Sequence, residues 1–376
     1  MQSTRITNTL WVAISISIAL LSVNAAAQSR KPIDVEKARV AAFWTAERRA
    51  AAIPRDLVID PRGLGYLRRP DGTLVPYGHR VEAEEPRRTP TPSPFAKPGG
   101  GGGGGSTTNV TNAEWTAGGA VQKAAGRLLF EMVGAYYVCS GTVATDGTAS
   151  RSIILTAAHC VYDDENKAFA SNVMFIPDQA HTTRRSKTDF NCFNDPMGCW
   201  IPSFGVVDFN WKNNVFPANI EWDYAFYVVS DADAHQGTAA SPTALDVAAG
   251  SLLVKFEEPN HDVPNSSVDF TYALGYSYRY DPKFMYCAED MTTNGAVNWW
   301  LPHCGLSGGS SGGPWVQPMQ SGSGPIISVN SWGYTGGPGM AGPKLSGTSA
   351  KCVFLGAKNA SLDITGGVVV TVVTCP

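Results

Sequence analysis

No CxxC pair occurs in the 376 residues, so the usual spacing of a structural zinc site is missing. His159-Cys160 and His303-Cys304 are adjacent pairs, but neighbouring residues rarely point at one ion. Charge is also scarce, at 16 % of residues. It divides unevenly: residues 28–97 hold 14 Lys/Arg against 9 Asp/Glu, and residues 109–376 hold 14 against 23. Neither part is basic enough to argue for a nucleic-acid partner, though opposite signs would draw the two together in a salt-sensitive way. Beyond residue 27 no apolar run is long enough to cross a bilayer, and beyond Asn109 no strong helical period is visible.

What is present begins with an export signature. Arg5 precedes the apolar run Leu10 to Val23, and Ala25-Ala26-Ala27 supplies small residues for cleavage. Residues 1–27 therefore read as a signal peptide, with a secreted product and no membrane attachment once it is removed. In residues 28–85, Val35 to Ile53 is rich in helix formers and predicts a helix stopped by Pro54. YLRRPDGTLVPYG predicts a hairpin turning at Pro70-Asp71-Gly72. Residues 86–108 pass from alternating prolines to seven consecutive glycines, Gly99 to Gly105, which is a linker and a domain boundary.

Residues 109–376 have a different texture. Short β-branched and aromatic runs, such as YYVCSGTVA, SIILTA, NVMFIP, WDYAFYVVS, FTYALGYSY, PIISVNSWGY, CVFLGA and GVVVTVVT, alternate with Gly, Pro, Asn and Asp. Many strands and few helices predict an all-β sandwich or barrel. All eight cysteines fall after the signal, at 139, 160, 192, 199, 287, 304, 352 and 375. An even number in an exported chain favours disulfides.

Three segments carry chemistry. CGLSGGSSGGPW, Cys304 to Trp315, is either a flexible linker or a turn that exposes one serine while leaving backbone N–H groups free for a ligand oxygen. SIILTAAHC delivers His159 at the end of an apolar strand, between small residues and a cysteine. A histidine there suits a general base, because the imidazole ordinarily titrates near neutrality. IEWDYAFYVV sets Asp223 at the mouth of an apolar strand, where a partly buried acid needs a partner. Asp208 in GVVDF is the rival acid, in a less suitable setting.

TAAHC, WDYAF and GSSGGP in this order resemble the signature segments of the chymotrypsin/trypsin family of serine peptidases, and of its secreted bacterial-type members in particular. YVCSGTV and SVNSWG resemble the family's strands before the histidine and along the substrate cleft. The resemblance covers residues from about Gly126 onward. It implies a chymotrypsin-like double β-barrel, preceded here by a small propeptide-like segment. It further implies a secreted, monomeric endopeptidase that acts on protein or peptide substrates without a cofactor or metal. The implied catalytic residues are His159, Asp223 and Ser311, with the amides of Gly309 and Ser311 as the oxyanion hole. Ser310 is the less open alternative nucleophile. The family's pairing implies Cys139–Cys160, and proximity adds Cys192–Cys199, Cys287–Cys304 and Cys352–Cys375.

Departures from the family pattern shape further expectations. Ser310 stands where animal digestive members carry an aspartate that pairs with a newly cut amino terminus, so the nucleophile loop should be held by local hydrogen bonds. Gly305 occupies the place of the aspartate that binds Lys or Arg. Ser331, Trp332 and Gly333 are the expected pocket wall, and Lys344 or Lys351 would favour an acidic side chain if either reached it. Residues 28–85 are either a removable propeptide that aids folding or covers the cleft, or a permanent module. The alternative function is an inactive homologue used for binding.

Overall fold

The computed structural model describes residues 32–79, 108–186, 189–231, 244–264, 266–364 and 366–371. The expected signal peptide and nearly all of the expected linker lie outside these residues. Within them no helix is long and apolar enough to cross a membrane.

The N-terminal segment forms two helices, α1 (Pro32–Phe43) and α2 (Ala46–Ala51), where the composition predicted one. The break comes from packing. Trp44 is buried, donates its indole N–H to the Asn172 carbonyl and lies edge-on to Tyr136. Thr45 turns extended and caps α2, its hydroxyl accepting the Arg48 N–H at 3.3 Å. Anchoring Trp44 in the body thus overrides a run of good helix formers. Strands β1 (Ile53–Pro54), β2 (Asp56–Ile59), β3 (Gly65–Arg68) and β4 (Leu74–Pro76) follow. β3 and β4 make the expected hairpin, with Gly72 at φ +90° and Asp71 accepting the Thr73 N–H.

The body is an all-β double barrel. In the first barrel the strand order is Ser171–Pro177, Ala125–Met132, Ala135–Ala144, Arg151–Thr156, Ala225–Ser230, Phe204–Asp208 and Gly367–Val370. Arg151–Thr156 and Ala225–Ser230 are buried at every position, which explains their continuous apolar runs: one face fills the barrel and the other is covered. Part of that cover is the helix Ala350–Asn359, whose Phe354 packs 5.2 Å from Phe226.

That helix corrects the reading of CVFLGA as a strand. Its buried residues, Ala350, Val353, Phe354 and Ala357, recur at helical spacing. The expected runs in YYVCSGTVA, SIILTA, NVMFIP, WDYAFYVVS, FTYALGYSY, PIISVNSWGY and GVVVTVVT do contain strands.

The second barrel is built from two sheets. One contains Ile326–Val329, Pro314–Val316, Phe270–Gly275, Met285–Asp290 and Val110–Glu114. The other runs Thr292–Asn294, Asn298–Leu301, Met340–Pro343 and Trp332–Tyr334, and then continues into β2, β3 and β4. Met285, Trp299, Trp315, Ile327 and Met340 fill the space between them. The N-terminal segment therefore adds a strand to each half of the body, β1 to the first barrel and β2 to the second.

Three disulfides form as expected: Cys139–Cys160, Cys192–Cys199 and Cys287–Cys304. Cys352 is also disulfide-bonded, but its expected partner Cys375 lies outside the described residues. Cys139–Cys160 ties the strand Ala135–Ala144 to the turn carrying His159, closing a separation of 21 residues. Replacing both cysteines by alanine should lower the unfolding free energy by about 3 kcal/mol. The measurement is urea unfolding under non-reducing conditions, with the slope rising as the released denatured chain exposes more surface.

Candidate active site

His159 lies in a short turn, Ala158–Cys160, directly after the strand Arg151–Thr156. Asp223 ends another turn, Ile220–Trp222, just before the neighbouring strand Ala225–Ser230. Antiparallel pairing of these strands sets Ala225 opposite Thr156 and so brings the two turns together. His159 Nδ1 is 2.8 Å from Asp223 Oδ2, and the His159 backbone N–H donates to Asp223 Oδ1 at 2.8 Å. A third donor, the Ser331 hydroxyl, reaches Oδ2 from the second barrel.

Both side chains of the pair are buried. Burial works against ionising Asp223, but the charge of His159 and the bonds from His159 and Ser331 outweigh it. The carboxyl is held below its ordinary value. A carboxylate only accepts, so the proton belongs on Nδ1 and the lone pair on Nε2. Among the described residues Nε2 is buried and has no hydrogen-bond partner.

Asp208, the rival acid, serves another purpose. It caps the helix Phe209–Asn213 by accepting the Asn210 N–H at 2.6 Å, and it also accepts the Ser349 hydroxyl.

Ser311 sits in the loop before the strand Pro314–Val316, and this loop is rigidly fastened. The Ser140 hydroxyl donates to the Gly309 carbonyl at 2.9 Å and accepts the Tyr276 N–H at 2.8 Å. The Gly308 carbonyl accepts the Tyr278 N–H, and the Ser311 carbonyl accepts the Ser140 N–H at 2.7 Å. Asn330 donates its side-chain amide to the carbonyls of Ser310 and Leu274 and accepts from the Trp315 indole. The local hydrogen bonds expected for a loop with Ser310 in place of an acid are also there, from the Ser310 N–H to the Ser307 carbonyl at 3.2 Å and from the Gly313 N–H to the Ser310 carbonyl at 2.9 Å, but most of the fastening comes from residues remote in sequence.

Two glycines are compulsory here. Gly309 has φ +96°, and a Cβ on it would meet the Tyr278 nitrogen at 2.8 Å. Gly312 has φ +80°, and its Cβ would meet Thr156 Oγ1 at 2.1 Å. The amides of Gly309 and Ser311 donate to no backbone carbonyl among the described residues, which leaves both for a ligand oxygen. The Ser311 carbonyl is 3.9 Å from the sulfur of Cys160, the residue after His159. His159 lies beside Cys139 and Cys160, but their sulfurs are joined to each other and cannot act as thiolate ligands.

Ser311 lines a cavity of about 390 Å³, together with Gly305, Ser331, Trp332 and Gly333. Cys304, Leu306, Ser307 and Met340 also line it. Of the charged lining residues the body contributes Arg279, and the N-terminal segment contributes Asp56, Arg68, Arg69 and Asp71. The expectation that Lys344 or Lys351 reaches the pocket is corrected. Neither lines it: the Lys344 ammonium sits 4.1 Å over the Trp299 ring, and Lys351 is exposed on the helix Ala350–Asn359. Sequence reasoning missed Ser140 and Asn330, and took Ser331 for a pocket wall only. The available signal was their position, polar residues inside apolar strand segments.

No protein-family model matches the chain, and no curated protein matches it either. Among solved structures, protease Anisep from Arthrobacter nicotinovorans is 26 % identical with a TM-score of 0.49, over 66 % of this chain and all of the other. A thermostable serine protease, AL20, from an extremophilic microorganism is 24 % identical with a TM-score of 0.49, over 64 % of this chain and all of the other. A Glu endopeptidase is 17 % identical with a TM-score of 0.46, over 67 % of this chain and 98 % of the other. All three are named as peptidases.

The depressed carboxyl of Asp223 has a measurable consequence. It contributes stability above the unfolded-state value of about 3.9, and that contribution is lost as pH falls through the lower folded value. The stability difference between the wild type and Asp223→Asn should be largest at neutral pH and shrink on acidification below about pH 4. Urea unfolding across a pH series reads it directly.

Proposed function

We propose that the chain is a secreted serine endopeptidase of the chymotrypsin/trypsin type, acting on protein or peptide substrates through His159, Asp223 and Ser311. The observation that carries the reading is the buried His159–Asp223 pair, whose Nε2 is unpartnered while the Ser311 backbone lies against the adjoining Cys160. Residues 1–27 act as the signal, 28–85 as a propeptide, 86–108 as the linker and 109–376 as a monomeric catalytic domain. No cofactor is required by this chemistry.

In the first half-reaction His159 Nε2 takes the proton from Ser311 Oγ as that oxygen bonds to the substrate carbonyl carbon. The carbonyl electron pair moves onto oxygen, where the amides of Gly309 and Ser311 receive it. Collapse breaks the C–N bond, and His159 returns the proton to the departing amine. Water then repeats the sequence on the acyl-enzyme. Asp223 stays ionised throughout, holding the ring and stabilising the imidazolium. The charge that the body contributes to the cavity lining is that of Arg279, which disfavours Lys or Arg next to the scissile bond.

A serine-directed phosphonate should label Ser311 in the folded, processed protein. Ser311→Ala and His159→Ala should abolish labelling and reduce peptide hydrolysis on the order of a millionfold. Asp208→Ala should keep the labelling rate while losing about 1 kcal/mol of stability with its helix cap. Folded, processed protein that the reagent leaves unlabelled would instead point to a binding module. Cleavage of a peptide library should show depletion of Lys and Arg on the acyl side of the cut.

A further inference from the structure

The N-terminal segment crosses the cleft, and its direction is informative. β1 pairs in parallel with Tyr137 and Val138 of the first barrel. β2 pairs in parallel with Trp332 to Tyr334 of the second. Arg55 spans the gap between them. The crossing passes close over the nucleophile loop, since a Cβ on Gly308 would lie 2.8 Å from Pro54 Cβ and 2.9 Å from Asp56 Cβ. Beneath it His159 and Ser311 are both buried.

The geometry points to an inhibitory strand, residues 53–59, that occupies the substrate cleft backwards and is therefore not cut. This rests on the peptidase reading above. Both of its ladders are parallel, the weaker kind per residue. A peptide of opposite polarity in the same groove would pair antiparallel with both edges, and that is the polarity assigned to substrate. Reversal exchanges carbonyl and N–H along the track. The amides of Gly309 and Ser311 donate to no carbonyl of the segment, and one brought against them in this polarity would carry its nitrogen on the side away from His159 Nε2. The amine would then receive no proton, the C–N bond would not break, and the segment would survive in place.

Arg55 locks the crossing. It is buried, pairs with Asp163 at 3.4 Å and donates to the Tyr77 hydroxyl. Its guanidinium lies 5.0 Å from the Tyr77 ring and 5.6 Å from the Tyr137 ring. The Tyr77 hydroxyl also binds Asp164, which accepts from the Phe216 N–H and the Asn219 amide of the body. Within the crossing, Asp56 pairs with Arg68 at 2.9 Å where both line the cavity. The block is thus made on the backbone track, with an ion pair over the pocket, and the net positive segment is held by acids of the negative body.

The test uses the full chain without its signal and reads docking and reactivity separately. Hydrogen exchange on the Ser311→Ala chain reports docking without catalysis. Slow exchange is expected at residues 57–59 and 332–334, and it should be lost at 57–59 when Arg55→Ala is added. With Ser311 intact, phosphonate labelling and peptide hydrolysis should be slow. Arg55→Ala should raise both on the order of a hundredfold, with Arg55→Lys between the two. Cutting at a specific site inserted within residues 86–107 alters no described residue and should give a similar rise on dilution. Mass spectrometry should find bonds 53–59 of the docked Ser311→Ala chain intact after incubation with the activated enzyme.

Fast exchange at 57–59 in the parent chain, equal reactivity of parent and Arg55→Ala, or cleavage within the docked segment would each overturn the proposal. Protected amides with no reactivity in any variant would overturn the peptidase reading and the inhibitory role with it, a result distinct from failed docking.

Discussion

One buried carboxylate organises the centre of this molecule. Asp223 accepts the His159 ring, the His159 backbone amide and the Ser331 hydroxyl. The first two donors belong to one barrel and the third to the other. An ionised acid at that depth is tolerable only when its oxygens are satisfied, so the two barrels must meet in one arrangement to supply all three. The same demand fixes the imidazole tautomer and aims its lone pair.

The loop carrying Ser311 obeys a matching constraint from the opposite side. Its hydrogen bonds come largely from Ser140 in the first barrel and from Asn330 in the second. Gly309 and Gly312 supply the backbone angles and the absence of a Cβ that this close approach requires. Thr156, at the end of the strand leading to His159, donates to the Ser140 carbonyl at 2.8 Å. The strand that leads to His159 and the strand that holds the Ser311 loop are therefore tied to each other.

Much of this was legible in the residues. Apolar strands ending in TAAHC and beginning after WD mark an acid and a histidine at strand ends, and SVNSWG hides three polar side chains, Ser328, Asn330 and Ser331, in an apolar run. The hairpin at Pro70-Asp71-Gly72 followed from turn chemistry. What could not be read depended on contacts remote in sequence. The helix break at Trp44 is decided by Asn172 and Tyr136, and the pairing of β1 and β2 with the two barrels by edges 84 and 275 residues further along. The helix Ala350–Asn359 was a miss of another kind. Its i, i+3, i+4, i+7 spacing was present, masked by the surrounding β-rich composition.

Sheet continuity carries one more consequence. β2, β3 and β4 extend the sheet that otherwise stops at Trp332–Tyr334, a strand bearing two aromatic rings. Stripping them away would bare a row of backbone donors and acceptors next to Trp300, Trp332 and Tyr334, which pack against one another. An open edge of that kind is sticky toward any extended chain, including a sister molecule. The N-terminal segment thus doubles as a dust cover, closing that edge against self-association.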